Sequence, residues 1–155
     1  MGLFSRKQKW DMERIAANKA AMRELFNAAV PDGDSYRIGY GVSTKITSLN
    51  FVLVTRTTTT YASLIVGWRE SDMSIVILQT TPDLDECAEP EFFRKGEIKK
   101  AKIVQGEYCI YRAGGMMAGY IQFGLYAEND EEYVAYIYQP EEEEEFSSFW
   151  KRFAK

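Results

Sequence analysis

The order of apolar and polar residues predicts a helix near each end of the chain and strands between them. Residues 8–29 carry an amphipathic pattern in which apolar side chains recur at helical spacing. The members of this stripe are Met12, Ile15, Met22, Phe26 and Ala29. Residues 31–34, which include a proline and a glycine, predict the end of this helix.

Between residues 36 and 139 the hydrophobic period changes to two, which is typical of short, half-buried strands. The predicted strands, some of which are expected to merge, span residues 36–42, 50–58, 60–68, 73–80, 98–104, 107–112, 116–126 and 133–139. Short connections are predicted at residues 69–72, 105–106, 114–115 and 128–131. Because parallel strands need a crossover of about a dozen residues or more, we expect these strands to be antiparallel.

Residues 81–97 follow neither period and form the longest predicted loop, with a helical turn expected around residues 91–93. Two interpretations of this loop stay open. Long loops are often functional. Alternatively, the segment is a surface excursion that Phe92 and Phe93 hold in place by packing inward.

The last segment predicts an amphipathic helix that begins at Pro140, because proline is favoured at the first helical position. Residues 141–145 are all glutamate, and Lys151 and Arg152 lie near the other end, an order that the helix dipole favours. One stripe of this helix is aromatic and consists of Phe146, Phe149, Trp150 and Phe153. We expect the stripe to be buried against an open face or end of the sheet.

Residues 133–153 run from a strand through Gln139 and Pro140 into the helix that carries Trp150. This arrangement resembles the last strand and the capping helix of pleckstrin-homology-like domains, a superfamily that includes GRAM-like domains. The resemblance covers about residues 36–155. It implies an α+β fold, namely an antiparallel barrel or sandwich of about seven strands with a C-terminal capping helix, to which this chain adds an N-terminal helix.

The same resemblance divides the chain into residues 1–34, a tail and an amphipathic helix, and residues 35–155, the sheet domain with its C-terminal helix. In lipid-binding members of the superfamily, basic residues on the first hairpin hold inositol phosphates. The corresponding region of this chain offers Lys45 and, further along, Arg56, without a basic cluster. Phosphoinositide binding is therefore not what the resemblance implies for this chain.

Composition indicates an ordinary globular protein of about one domain, since the 155 residues are 46% hydrophobic and 27% charged. The net charge of −4 argues against general nucleic-acid binding, which needs a basic surface. The sequence shows no secretion signal and no apolar run long enough to span a membrane, which predicts a cytoplasmic protein. Cys87 and Cys109 lack metal-site spacing; Cys109 is interpreted as a small buried hydrophobe, and a disulfide between the two is the alternative.

Catalytic chemistry has few candidate residues in this sequence. Histidine is absent, which removes the commonest general base and the commonest transition-metal ligand. The acidic residues concentrate in runs that are typical of solvated surface, at 128–132 and 141–145. The glycine pair at 114–115 is interpreted as a hairpin turn, and the threonines at 57–60 as strand residues. We therefore predict no catalytic residues, no metal site and no cofactor.

Two basic clusters are candidate contact sites. The first consists of Arg94, Lys95, Lys99, Lys100 and Lys102. It could bind an anionic headgroup or an acidic protein surface, or its lysines could protect an edge strand from unwanted pairing. The second consists of Arg6, Lys7 and Lys9 beside Leu3, Phe4 and Trp10, which suits either a membrane headgroup region or a disordered tail.

Three functions follow, in order of preference. The first is a non-catalytic binding or protein-interaction module, in which a partner or a second copy covers the apolar stripe of the N-terminal helix. The second is peripheral attachment to an anionic membrane through the basic residues. The third is an enzyme that uses carboxylates or tyrosine.

Overall fold

The computed structural model of the protein describes residues 10–46, 54–56, 59–114, 119–131 and 134–155, with side chains described outside residues 44–46, 54–56 and 59–61. Within these ranges the chain forms two α-helices and ten strands. They are α1 (Met12–Ala29), β1 (Arg37–Ile46), β2 (Val54–Arg56), β3 (Thr59–Arg69), β4 (Ser74–Thr80), β5 (Glu91–Arg94), β6 (Ile98–Val104), β7 (Glu107–Arg112), β8 (Tyr120–Gly124), β9 (Glu128–Asn129), β10 (Ile137–Tyr138) and α2 (Pro140–Phe153). None of the described helices is long and apolar enough to cross a membrane.

Seven of the strands follow one another across a single antiparallel sheet in the order β5-β4-β3-β1-β8-β7-β6. The first strand in the chain lies at the centre, and β5 and β6 lie at the two edges. Beside this path β2 pairs with β3, and β9 and β10 form a separate two-stranded ribbon. The predicted α+β fold with an antiparallel sheet of about seven strands and a helix at each end is confirmed.

The connection between β6 and β7 is a two-residue turn in which both residues have positive φ. Gln105 and Gly106 have φ of 52° and 81°, as a primed two-residue hairpin turn requires, and they join β6 to β7. Arg69 pairs with Ser74 across the predicted connection at 69–72. The predicted turn at 114–115 lies partly outside the described residues; on either side of the undescribed segment, the Arg112 amide donates to the Gly119 carbonyl at 3.1 Å.

The aromatic stripe of α2 is buried on the inner face of the sheet, which confirms that prediction. Its four side chains, Phe146, Phe149, Trp150 and Phe153, are at most 3% exposed. They pack against apolar residues of β3, β4, β7 and β8. The ring of Tyr108 in β7 lies 4.8 Å from those of Phe146 and Trp150, centroid to centroid. The helix therefore covers this face of the sheet.

Helix α1 covers the opposite face of the sheet. Ile15, Met22 and Phe26 are buried, and Gly67 of β3 makes room for the Phe26 ring, because a β-carbon at Gly67 would lie 2.5 Å from Phe26 Cζ. In sequence α1 belongs to the predicted 1–34 segment, but in space it packs on the sheet. Its apolar stripe is therefore covered by this chain itself and does not need a partner or a second copy.

The predicted start of α1 differs from the observed one. The helix begins at Met12, after Asp11, whose carboxylate accepts a hydrogen bond from the Arg14 amide at 3.2 Å. Met12 is 56% exposed, so its assignment to the buried stripe is wrong. Trp10 is buried against Tyr136 and is not available to a membrane, whereas residues 1–9, with the rest of that basic cluster, lie outside the described residues.

The helical turn predicted around residues 91–93 is wrong, because residues 91–94 form the edge strand β5. Ile75 of β4 pairs with Phe93, and Ile77 pairs with Glu91. Phe93 is buried and Phe92 is 52% exposed, as alternation along a strand requires. Only one of the two phenylalanines thus packs inward, and the pairing needs of β4 override the local pattern.

The predicted strand 133–139 is shorter than expected over its described residues. Residues 137–138 are the paired part of the predicted strand 133–139, and they pair with residues 128–129, which were predicted as a turn. Within the described part of segment 50–58, residues 54–56 form a strand. Cys109 is buried as predicted, and Cys87 is half-buried. Both are thiols, so the disulfide alternative is wrong.

Candidate interaction site

The structure separates the predicted basic contact residues into several groups. Arg94 lies in β5 and Lys95 in the turn that follows, whereas Lys99, Lys100 and Lys102 lie in β6. Lys45 and Arg56 lie in β1 and β2, and their side chains are outside the described part of the chain. The three lysines of β6 are the part of the cluster that shares one element.

Arg94 and Lys95 have partners within the fold. Arg94 Nε lies 3.8 Å from a carboxylate oxygen of Asp72. Lys95 Nζ donates to the backbone carbonyls of Arg152, Phe153 and Lys155 at 2.7, 3.2 and 3.0 Å. A lysine at this position satisfies carbonyls at the end of a helix and complements its dipole. Lys95 therefore fastens the end of α2 to the β5–β6 turn.

Strand β6 is an edge of the sheet, because among the described strands it pairs with β7 alone. An edge strand presents unpaired backbone N–H and C=O groups along one side. Its lysines, Lys99, Lys100 and Lys102, are all exposed. A register shift between residues 98 and 100 sets Lys99 apart from the regular alternation that follows.

The two faces of β6 have different chemistry. Lys100 and Lys102 are paired with Tyr111 and Cys109 of β7, whereas Ala101 and Ile103 are paired with Ile110 and Tyr108; these pairs alternate along the strand. Ile110 belongs to the core beneath α2. Lys100 and Lys102 therefore point to the outer face of the sheet, and Ala101 and Ile103 point to the side of α2.

On the outer face the lysines lie over an aromatic ring. Lys100 Nζ and Lys102 Nζ lie 4.9 and 5.4 Å from the ring centroid of Tyr111. The Tyr111 ring stacks on that of Tyr120 in β8 at 5.6 Å. Cations within about 6 Å of a ring are attracted to its face, so Tyr111 orients both ammonium groups. The result is a positively charged row, which we call the lysine face.

On the other side β6 has an apolar shelf formed by Ile98, Ala101 and Ile103. Ile98 and Ala101 are half-buried against the core. Ile103 is 59% exposed, the largest exposed fraction among the large hydrophobic side chains described. Behind it, Tyr108 packs on Trp150, and burial raises the pKa of the Tyr108 phenol. The shelf is therefore packed against the core on its inner side and open to solvent at Ile103.

Glu107 lies beside the β6–β7 turn, where it pairs with Val104. Its carboxylate accepts hydrogen bonds from the Tyr126 hydroxyl at 2.8 Å and from Gln122 Nε2 at 3.1 Å. Burial and the neighbouring Glu107 raise the pKa of Tyr126 to about 12, so its hydroxyl remains a donor at neutral pH. The carboxylate of Glu107 is thus hydrogen-bonded to Gln122 and Tyr126.

A cavity of about 520 Å³ lies elsewhere, between the start of β1, the end of β3 and α2. Ion pairs between Arg37 and Glu145 and between Arg152 and Glu70 cross it from the sheet to the helix. Glu141 and Glu144 also line it. Sequence reasoning assigned these glutamates to solvated runs and missed the cavity, because it forms only when α2 lies beside the strands.

Sequence reasoning named the lysines but missed Ile103, Tyr111 and Tyr120. The signal was present, since residues 100–103 read Lys-Ala-Lys-Ile, an alternation of charged and apolar residues. Among the described residues, no group of three or more histidine, cysteine, aspartate or glutamate side chains is placed to hold a metal ion. In comparisons with known proteins, no family model, no curated protein and no solved structure matches the chain.

Proposed function

We propose that this protein is a non-catalytic interaction module that binds an extended segment of a partner protein as an additional strand beside β6. The observation that carries this proposal is the exposed edge of β6, with an open apolar shelf on one side and lysines on the other. Extended peptides bind exposed sheet edges through backbone hydrogen bonds, and side-chain pockets supply specificity.

The lysines select the partner by charge. Lysine on an edge strand opposes indiscriminate pairing, which agrees with the edge-protection interpretation. Two copies of the chain that met edge to edge at β6 would bring lysines close to lysines, and like charges on adjacent strands destabilise the pair. A segment that carries carboxylates would instead be attracted. The partner that fits this edge is therefore an acidic segment of another protein.

The PH-like assignment is part of the same proposal. It is supported by the seven-strand antiparallel path and by the C-terminal helix, whose phenylalanines and Trp150 cover one face of the sheet. The edge strand β6 adjoins the same apolar cluster through Ile98 and Ala101.

Nuclear magnetic resonance tests the proposed function directly. Short random peptides displayed on phage are selected against the protein, and the recovered peptides are titrated into ¹⁵N-labelled protein. We expect shift changes and slowed amide exchange along β6, with the amides of β5, the other sheet edge, as the internal control. Selection that yields no binder, or binders that shift β5 or the cavity residues instead, would contradict the proposal.

A second candidate function is attachment to an anionic membrane surface, and the lysine face favours it. Lysine and tyrosine both place an apolar body beneath a polar tip, which suits a lipid headgroup region. Vesicles with and without phosphatidylserine distinguish this function. Salt-sensitive binding to the anionic vesicles, lost in the double variant K100E/K102E, would support it, and no binding at low salt would remove it.

A further inference from the structure

We infer that the segment bound at β6 alternates acidic and apolar side chains, so that carboxylates lie over the lysine face and apolar side chains lie over the shelf. This inference rests on the proposed function, because it concerns the same edge. It goes further in naming the residue pattern of the partner. Lys100, Ala101, Lys102 and Ile103 alternate between the two faces of the sheet along the edge strand.

An added strand continues the pleat of the sheet. Its successive side chains point to opposite faces, and each lies beside the β6 side chains of the same face. Two residues of the partner that are two positions apart would therefore lie beside Lys100 and Lys102. The residue between them would lie on the side of Ala101 and Ile103.

The lysine face favours carboxylates at the first set of positions. Both ammonium groups are held near the Tyr111 ring, at 4.9 and 5.4 Å from its centroid, and neither has a carboxylate partner among the described residues. Lys100 and Lys102 lie on one face and are two residues apart. Two acidic residues of the partner, also two residues apart, would therefore each lie beside one lysine. A basic residue at either position would be repelled.

The shelf favours apolar side chains at the intervening positions. Ile103 is 59% exposed, and an apolar neighbour would remove part of that surface from water. A charged side chain there would lose hydration beside Ile103 and Tyr108 without gaining an ion pair. The sequence pattern that satisfies both faces is acidic, apolar, acidic, apolar.

Three synthetic peptides of equal length, with blocked ends, test the pattern. The first alternates glutamate and valine, the second has the same composition with the glutamates and valines in separate blocks, and the third alternates lysine and valine. Binding is measured by titration into ¹⁵N-labelled protein at concentrations where each peptide is monomeric. We expect the alternating acidic peptide to bind at least about five-fold more tightly than the other two.

Charge reversal of the lysine face supplies the decisive variant. In K100E/K102E we expect the preference to invert, so that the lysine-valine peptide binds more tightly than the glutamate-valine peptide. The control K151E/K155E makes the same change in net charge at two exposed lysines near the end of α2, and it should retain the original preference. On the shelf, I103S should weaken the alternating acidic peptide about two- to five-fold, since it removes an exposed apolar contact.

The outcomes separate the inference from the proposed function. If all three peptides shift the β6 amides with equal affinity, the edge binds strands but the pattern is wrong. The pattern is also wrong if K151E/K155E changes the preference as much as K100E/K102E does, because long-range charge would then explain it. If none of the peptides and none of the selected binders shifts β6, the proposed function itself is wrong. Inversion of the preference in K100E/K102E alone supports both.

Discussion

The side-chain amide of Gln139 bonds to the backbone of the central strand β1 where, on one side, no described strand pairs with it. We expect the replacement of Gln139 by leucine to destabilise the fold strongly. On one side β1 pairs with β3 along Arg37 to Ser43, but on the other side its pairing with β8 begins only at Val42. Beside Tyr40 the side-chain amide of Gln139 makes the hydrogen bonds that the backbone of a neighbouring strand would otherwise make. Its Oε1 accepts from the Tyr40 amide at 2.9 Å, and its Nε2 donates to the Tyr40 carbonyl at 2.8 Å.

The magnitude follows from the hydrogen bonds that are lost. Gln139 is 1% exposed, and Nε2 also donates to the Tyr126 carbonyl at 2.8 Å. Gln139→Leu keeps a similar volume but leaves the buried N–H and carbonyl of Tyr40 without these bonds, whereas the Tyr126 carbonyl keeps a hydrogen bond from Asn129 Nδ2 at 2.9 Å. Each buried polar group left unsatisfied costs about 1–3 kcal/mol, so we expect the two Tyr40 groups to cost about 2–6 kcal/mol in the free energy of unfolding.

Urea denaturation, followed by tryptophan fluorescence and by circular dichroism, measures this loss. The matched control is Gln122→Leu, because Gln122 is 4% exposed and its side chain makes one hydrogen bond, to Glu107. Because that bond is to a charged carboxylate, we expect the control to lose about 1.5–3 kcal/mol, less than Gln139→Leu. Equal losses in the two variants would refute the idea that Gln139 completes the pairing of β1.

Two further predictions concern the α2 helix and the turn between β3 and β4. Trp150→Ala should lower the free energy of unfolding by about 3–5 kcal/mol, because it leaves a cavity where a side chain that is 3% exposed was packed. The control is Lys151→Ala, at an exposed position of the same helix. An unchanged thermal midpoint in Trp150→Ala would contradict the burial of the stripe. Hydrogen bonds from Arg69 and then Ser74 lower the pKa of Asp72 from 3.8 to about 2. Since the folded pKa lies below the unfolded one, this carboxylate stabilises the fold above about pH 3.8 and loses that contribution as the pH falls towards 2. Asp72→Asn should therefore lower the urea midpoint near neutral pH and make that midpoint depend less on pH between about 3.8 and 2. An unaltered pH dependence in this acid range would argue against the hydrogen bonds from Arg69 and Ser74 to Asp72.

Much of the fold could be predicted from local pattern. The stripe of α2 repeats at helical spacing between a proline and a basic end, so sequence alone indicates both its limits and its buried face. The turn at 105–106 needs positive φ and contains glycine, and the structure has a primed hairpin there. These predictions are correct because their physical causes lie within a few residues of one another.

Other features depend on neighbours that are distant in the chain. Residues 91–94 have no clear local preference, and they form a strand because β4 offers an unpaired edge to them. Gln139 reads as an ordinary polar residue before a helix, but its amide bonds to a strand 99 residues away in sequence. No local pattern carries such information, since the partner group is specified only when the chain has folded.

The candidate site shows the same division. From the sequence alone, residues 98–104 were predicted to form a strand rich in lysine, which indicated either an edge or an anionic contact. The tertiary structure decided that β6 is an edge, that Lys95 is taken up by the end of α2, and that Lys100 and Lys102 share one face with Tyr111. The physical reason is that side-chain periodicity is a property of the strand itself, whereas the position of a strand in its sheet depends on which backbone groups elsewhere remain to be paired.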